Sequence, residues 1–106
     1  MLKVIDKPVY RTTVTVATLH LKGTVEVEFV ALPASQLKLL EAKGSDEVLR
    51  AVTAWHEPVE IGGQPVKHAR DGGTPDSLDK LLDVPGLGAA MTRRYYASLW
   101  EEAKGN

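Results

Sequence analysis

The chain has 106 residues, of which 43% are hydrophobic and 25% are charged, and it contains no cysteine. This length predicts one domain, residues 1–106, with one modest core. The missing cysteines exclude disulfides, thiolate metal sites and cysteine nucleophiles. The formal net charge of −1 provides no basic field for a phosphate backbone, so we expect no general nucleic-acid binding.

Residues 2–31 are predicted to be rich in β-structure, since β-branched residues dominate them. The end of this region alternates, with apolar side chains on one face (Val25, Val27, Phe29, Ala31) and glutamates on the other (Glu26, Glu28). Lys22-Gly23 is the predicted hairpin turn, because glycine accepts a positive φ. The apolar phase slips near Ala17-Thr18, which predicts a β-bulge. The sequence leaves open whether residues 2–10 add a third strand to this hairpin.

The region 33–55 is predicted to form two helices. Pro33 suits the first helical position and Gly44 suits a stop, with Ser45 as the cap of the second helix. The second helix is predicted to run to about Trp55. We interpret Trp55 as a core residue rather than an exposed anchor.

The second half of the chain is predicted to begin with short extended segments and to end in helices. Residues 58–66 predict two such segments around a Gly62-Gly63 turn. Residues 67–73 are predicted to be a flexible loop. Residues 75–103 are predicted to be helical, with a break at Val84-Pro85-Gly86. The predicted fold class is therefore α+β, with an N-terminal antiparallel β-hairpin or small sheet packed with three to four C-terminal helices.

The last predicted helix, from about residue 87 to residue 103, carries more apolar surface than one neighbour covers. At ~100° per residue its apolar side chains form two rows: Leu87, Met91, Tyr95 and Leu99, then Ala89, Tyr96, Trp100 and Ala103. Two interpretations are open. Either both rows pack in the core, or Tyr96 and Trp100 face outward as the aromatic anchors of an interface.

The sequence predicts no catalytic, cofactor-binding or metal-ligating residues. Its histidines lie in separate segments without the spacing of metal ligands: His20, His56 and His68. The glycine pairs do not match a phosphate-binding loop, and no nucleophile elbow occurs. We therefore expect a protein that is not an enzyme. No run reaches the ~20 apolar residues of a membrane span and no signal-peptide pattern opens the chain, so we expect a cytoplasmic protein.

From about residue 12 to the C-terminus, a series of motifs follows one order. The motifs are the strands around Lys22-Gly23, Val25–Ala31, Ser35–Leu40, Val52-Thr-Ala-Trp55, Gly62-Gly-Gln-Pro-Val66, the L-x-x-L-L-x-x-P-G pattern of Leu78–Gly86, Tyr95-Tyr96 and the ending Ala103–Asn106. In this order they resemble the tail assembly chaperones of long-tailed phages and prophages. The linker 67–74 departs from the family by being richer in glycine.

The resemblance implies an assembly factor of the host bacterial cytoplasm that is not retained in the virion. Such chaperones bind the tape measure protein and cover its apolar segments until the tail tube polymerises around it. Family members often have a longer product made by ribosomal frameshifting. The expected partners are therefore the tape measure protein, a frameshift-extended form of this chain and the tail tube protein, with a homo-oligomer open and neither nucleic acid nor membrane expected.

The expected contact surface for the client protein lies on the C-terminal helices. Its candidate residues are apolar or aromatic: Leu78, Leu82, Met91, Tyr95, Tyr96, Leu99 and Trp100. The first alternative is a structural virion protein, such as a tail completion or tube component. Two further alternatives are a small enzyme and a self-associating module whose surplus helix surface is buried in a symmetric dimer.

Overall fold

The computed structural model describes residues 1–101, which begin with strands and end with helices. In chain order the elements are β1 (Val9–Ala17), β2 (Lys22–Val30), α1 (Ala34–Glu41), α2 (Ser45–Val52), β3 (Thr53–Ala54), β4 (Val59–Ile61), β5 (Gln64–Val66), α3 (Ser77–Leu82) and α4 (Leu87–Trp100). The α+β prediction is confirmed, because an antiparallel sheet β1-β2-β3 packs with these helices. The predicted helix end at Ala103 and the ending Ala103–Asn106 lie outside the described residues.

The β1–β2 hairpin turns earlier than predicted. Its strands pair one to one from Val9 opposite Val30 to Ala17 opposite Lys22, so the predicted bulge and the predicted Lys22-Gly23 turn are both wrong. The chain reverses at residues 18–21, where the Thr18 hydroxyl accepts a hydrogen bond from the Leu21 N–H at 3.0 Å. Such local side-chain bonds stabilise turns. The slip in apolar phase therefore marks the turn rather than a bulge.

The third strand of the sheet is β3, which the sequence did not predict. β3 pairs antiparallel with β2, placing Ala54 opposite Glu28 and Thr53 opposite Phe29. Residues 1–8 form no strand, so the predicted strand within 2–10 is wrong apart from the start of β1. Because β3 follows α2 directly, α2 ends at Val52 rather than near Trp55.

Glycines with positive φ accompany two of the predicted reversals. Gly44, the predicted stop, has a φ of 111° and separates α1 from α2. It is also the N-cap of α2, so the prediction that Ser45 caps this helix is wrong. Gly62 and Gly63 have φ values of 58° and 79° and connect β4 to β5, which pair antiparallel. Two successive positive φ values define the tight hairpin turn that favours glycine. The prediction for residues 58–66 is therefore confirmed.

The core lies between one face of the hairpin and α2, α3 and α4. Its strand residues include Val14, Val16, Val27 and Phe29, and its helix residues include Val48, Leu49, Val52, Leu81, Leu87, Met91 and Tyr95. Trp55 is fully buried, as predicted, and its indole Nε1 donates to the Val66 carbonyl at 3.0 Å. This bond ties the end of the sheet to β5. Within residues 1–101, no helix combines the length and the apolar character needed to cross a bilayer.

The segment 67–73, predicted as a flexible loop, contains a 3-10 helix at Ala69–Asp71. Its last residue, Gly73, donates its N–H to the His68 carbonyl at 2.9 Å. A Cβ atom at position 73 would lie 1.8 Å from the Lys67 carbonyl oxygen. The two ends of this segment therefore approach each other at a distance that glycine alone permits.

We predict that Gly73→Ala destabilises the fold by about 2–3 kcal/mol, because the new methyl group forces the backbone apart. Gly88→Ala is the matched control, since its Cβ would meet only the end of the Leu82 side chain, at 3.1 Å. Inside α4 the control is expected to be neutral or to stabilise by up to about 1 kcal/mol. Urea unfolding followed by circular dichroism measures both variants. Equal unfolding free energies would contradict the close approach at Gly73.

Candidate partner-binding surface

The two apolar rows of α4 have different surroundings. The first row faces the core, with Leu87 at 3% exposure and both Met91 and Tyr95 at 0%. The second row faces outward at its end, where Trp100 is 84% exposed. Tyr96 lies between these extremes and is partly buried against the core. The interpretation in which the second row faces outward therefore holds for Trp100, and it holds in part for Tyr96.

The seven candidate contact residues are not equally accessible. Leu78, Met91 and Tyr95 belong to the core, so they cannot touch a partner while the domain is folded. They are buried because α3 packs on α4 and the first row of α4 covers the sheet. We remove these three from the proposed surface. The remaining candidates are partly buried or exposed: Leu82, Tyr96, Leu99 and Trp100.

Tyr96 is held in place by α1. Its hydroxyl donates a hydrogen bond to a carboxylate oxygen of Glu41, the last residue of α1. Burial and the neighbouring Glu41 carboxylate raise the pKa of Tyr96 to about 12. The phenol therefore stays protonated at neutral pH and keeps its donor bond. The ring also meets Tyr95 edge-on, at 5.5 Å between centroids.

A continuous strip runs along the outer side of α4. At ~100° per residue the positions 89, 93, 96 and 100 follow one another along the helix. Ala89, Arg93 and Trp100 are exposed, and Tyr96 is partly buried. We call these four residues the outer strip of α4. Helical periodicity alone indicates the apolar members of the strip, whereas Arg93 is absent from the sequence-based candidates.

The first half of the outer strip continues into an open groove of about 510 Å³. The groove is lined by Leu82, by the connection Val84–Gly86, by Ala89 and Arg93 of α4, and by Ser45 and Asp46 at the start of α2. Leu82, a predicted contact residue, therefore lies beside the strip. Asp46 and Ser45 could not be placed here from sequence, because the approach of α2 to α4 is a tertiary contact.

The strip and its groove together form an elongated surface with both apolar and polar side chains. α4 is 14 residues long, which corresponds to about 21 Å at ~1.5 Å per residue. An exposed aromatic anchor at one end and a groove at the other suit an amphipathic helix laid alongside α4. The acidic side chains of Glu41 and Asp46 flank this surface on the α1–α2 side. A partner with basic residues beside its apolar face would complement them.

Away from this surface, a cluster of charged and polar side chains joins the 3-10 helix Ala69–Asp71 to β2. The Nδ1 atom of His56 lies 3.2 Å from Asp71, and its Nε2 atom lies 3.7 Å from Glu28. Arg70 donates to the same Glu28 carboxylate at 2.9 Å. In the described part of the chain, no group of three or more His, Cys, Asp or Glu residues could hold a metal ion. We interpret this cluster as a clamp on the 67–73 segment.

His68 packs against the buried Trp55. The two rings meet edge-on with centroids 4.8 Å apart, and His68 Nδ1 accepts a hydrogen bond from the Arg70 N–H at 3.2 Å. Burial, followed by the charge of Arg70, lowers the pKa of the His68 imidazole. The neutral ring is therefore the form that fits this position.

Comparison with known proteins assigns the chain to no family. No family model matches it, and it matches no curated protein and no solved structure. The candidate surface is therefore interpreted from the residues of this chain alone.

We predict a large difference between the two tryptophans in alanine substitution. Trp55→Ala is expected to cost about 3–5 kcal/mol, because it opens a cavity in the core. Trp100→Ala is expected to change the unfolding free energy by no more than about 0.5 kcal/mol, because its side chain is already in water. Urea titrations by circular dichroism provide both values, with Trp55→Phe as the milder variant. A cost of several kcal/mol for Trp100→Ala would show that Trp100 packs in the core.

We predict that His68 makes the fold less stable in mild acid. Its folded-state pKa is below the ordinary value of 6.5, so the unfolded chain binds a proton more readily. The stability contributed by the neutral ring is complete above pH 6.5 and is lost as the pH falls through the lowered pKa. His68→Asn keeps an acceptor for the Arg70 N–H but does not titrate.

Unfolding free energies at pH 7.5 and pH 5.5, measured for both proteins, test this prediction. The wild type should lose more stability between these values than the His68→Asn variant does. His20 and His56 are present in both proteins, so the difference isolates His68. Equal losses would refute the effect.

Proposed function

We propose that this chain is a tail assembly chaperone of a long-tailed bacteriophage or prophage. It binds the tape measure protein in the host bacterial cytoplasm and shields its apolar segments until the tail tube forms. The observation that carries this proposal is the outer strip of α4, which ends in Trp100 at 84% exposure. The order of motifs along the chain supports the same family.

The physical basis of the proposed shielding is competition with aggregation. A protein that binds exposed apolar segments lowers their free concentration by mass action. Tryptophan suits this task, since it buries about 150–250 Å² and loses little rotamer entropy. With one exposed aromatic anchor per chain, we expect each contact to be weak and reversible. A long client with many apolar segments would then bind several copies and release them as the tube grows.

The resemblance adds two further proposed partners, a frameshift-extended form of this chain and the tail tube protein. The main alternative is a structural virion protein, such as a tail completion or tube component. The two functions differ in the fate of the protein. A chaperone is absent from purified particles, whereas a structural protein remains in them at a fixed copy number, and mass spectrometry of particles distinguishes the two.

We predict that Trp100→Ala weakens binding to apolar segments of the tape measure protein about 30-fold. This loss is typical of an aromatic anchor that becomes buried on binding, which contributes about 2 kcal/mol or more. Leu39→Ala is the matched control, because Leu39 is 71% exposed but points away from the buried side of α1. The control should change the affinity less than twofold in titration calorimetry.

Hydrogen exchange checks the position of the same contact. Residues 86–101 should gain protection when the client segment is added, while β4 and β5 should not. If 86–101 stay unprotected, or if both variants lose affinity equally, the outer strip of α4 is not the client site.

A further inference from the structure

The outer edge of β1 has no pairing partner among the described residues. In an antiparallel ladder, hydrogen-bonded pairs alternate with pairs that are not bonded. The Ala31 N–H donates to the Pro8 carbonyl at 2.9 Å, and the Thr18 N–H donates to the Leu21 carbonyl at 2.8 Å. Given the one-to-one register, the even-numbered residues of β1 are bonded to β2. The odd-numbered residues direct their N–H and C=O groups away from the sheet: Val9, Arg11, Thr13, Thr15 and Ala17.

This edge lacks the usual protection against strand pairing. Natural edge strands are commonly short, bulged, interrupted by proline or rich in lysine. β1 is nine residues long, regular in register and free of proline and lysine, and Arg11 is its one charged residue. The side chains of all five outward-bonding residues are exposed. β1 therefore presents a template for another strand.

We propose that β1 pairs antiparallel with β1 of a second copy, about a two-fold axis that passes through Thr13. This register places Val9 opposite Ala17, Arg11 opposite Thr15 and Thr13 opposite Thr13. Every outward-directed backbone group then meets an equivalent group of the second copy. The two three-stranded sheets become one six-stranded sheet, and both α4 helices lie on the same face.

The strand is self-complementary in this register. Arg11 faces the neutral Thr15, so no like charges are opposed across the axis. On the inner face, Tyr10 faces Val16 and Thr12 faces Val14. The pairs of Tyr10 with Val16 continue the apolar face of the hairpin across the boundary. A two-fold interface requires this property of one strand, whereas an unrelated partner would need its own matching pattern.

The N-terminal segment explains how such a dimer could bury enough area. An interface of one strand edge is small beside the ~1,200–2,000 Å² of stable complexes. Leu2, Val4 and Ile5 are 87%, 82% and 73% exposed and belong to no strand. In the proposed register, residues that precede Val9 run past Ala17 of the second copy and reach its 18–21 turn.

That turn borders an apolar cleft of about 370 Å³. The cleft is lined mainly by aliphatic side chains: Val16, Leu21, Val25, Val59, Ile61, Val84 and Leu87. Eight residues of extended chain span up to about 26 Å, so the segment is long enough to cross the turn. The N-terminal apolar side chains of each copy would thus cover the cleft of the other.

Charge substitutions test the dimer and its register by sedimentation velocity across a concentration series. Thr13→Lys should weaken dimerisation at least tenfold, because two lysines meet at the axis, whereas within one chain position 13 faces Glu26. Gln36→Lys is the control, since Gln36 is exposed on α1 and lines neither the β1 edge nor the cleft, and it should change the dissociation constant less than twofold. Thr15→Glu should strengthen the dimer severalfold, because each glutamate faces Arg11 of the other copy.

Single cysteines test the same register, since the natural chain has none. Residues opposite each other in a hydrogen-bonded pair have Cα atoms about 5.5 Å apart, which fits a disulfide. Thr13→Cys should therefore crosslink on mild oxidation. Thr15→Cys and Gln36→Cys should not, because their equivalents lie farther from the axis. Circular dichroism confirms that each variant is folded.

A protein that stays monomeric at all concentrations would overturn the proposal, and so would equal crosslinking at the three positions. Deletion of residues 2–5 should weaken the dimer at least tenfold, and an unchanged dissociation constant would refute the role of the N-terminal segment. This inference is independent of the proposed function, because Thr13→Lys leaves the outer strip of α4 intact.

Discussion

The position of α4 on the sheet depends on the buried side chain of Tyr95. Its hydroxyl donates to the Val30 carbonyl at 2.9 Å and accepts from the Leu32 N–H at 3.2 Å, just where β2 ends. Its ring meets Phe29 edge-on at 5.2 Å between centroids. Two hydrogen bonds and one aromatic contact thus define the rotation of α4 about its own axis. With Tyr95 facing inward, helical geometry places Trp100, five residues later and ~140° around the helix, on the outside.

Much of the fold follows from local patterns in the sequence. Alternation at residues 25–29 indicated which face of β2 is buried, and paired glycines indicated the β4–β5 turn. The errors arose where distant residues decide the structure. Thr53 and Ala54 continue the helical pattern of α2, yet they pair with β2 because the sheet offers them a partner. Leu19 and Leu21 are apolar residues in a turn, so they imitate a strand with a shifted phase.

The candidate surface was predictable only in part, for the same reason. Periodicity divided the apolar residues of α4 into two rows, but it could not show which row faces the sheet. That choice is made by Tyr95 together with tethers such as the bonds from Arg94 to the Thr12 hydroxyl. The predicted contact residues Met91 and Tyr95 therefore prove to lie in the core. The groove beside Leu82 depends on how α2 approaches α4, which no local pattern encodes.

The chain carries its two tryptophans in opposite environments, one enclosed at the end of the sheet and one at the exposed end of α4. The fluorescence emission of indole shifts to shorter wavelength in apolar surroundings. The two tryptophans should therefore differ in emission maximum and in accessibility to a soluble quencher. Loss of the fold would alter the signal of Trp55, whereas occupation of the helix surface would alter that of Trp100. The intrinsic fluorescence of one unlabelled sample can therefore report unfolding through Trp55 and partner binding through Trp100.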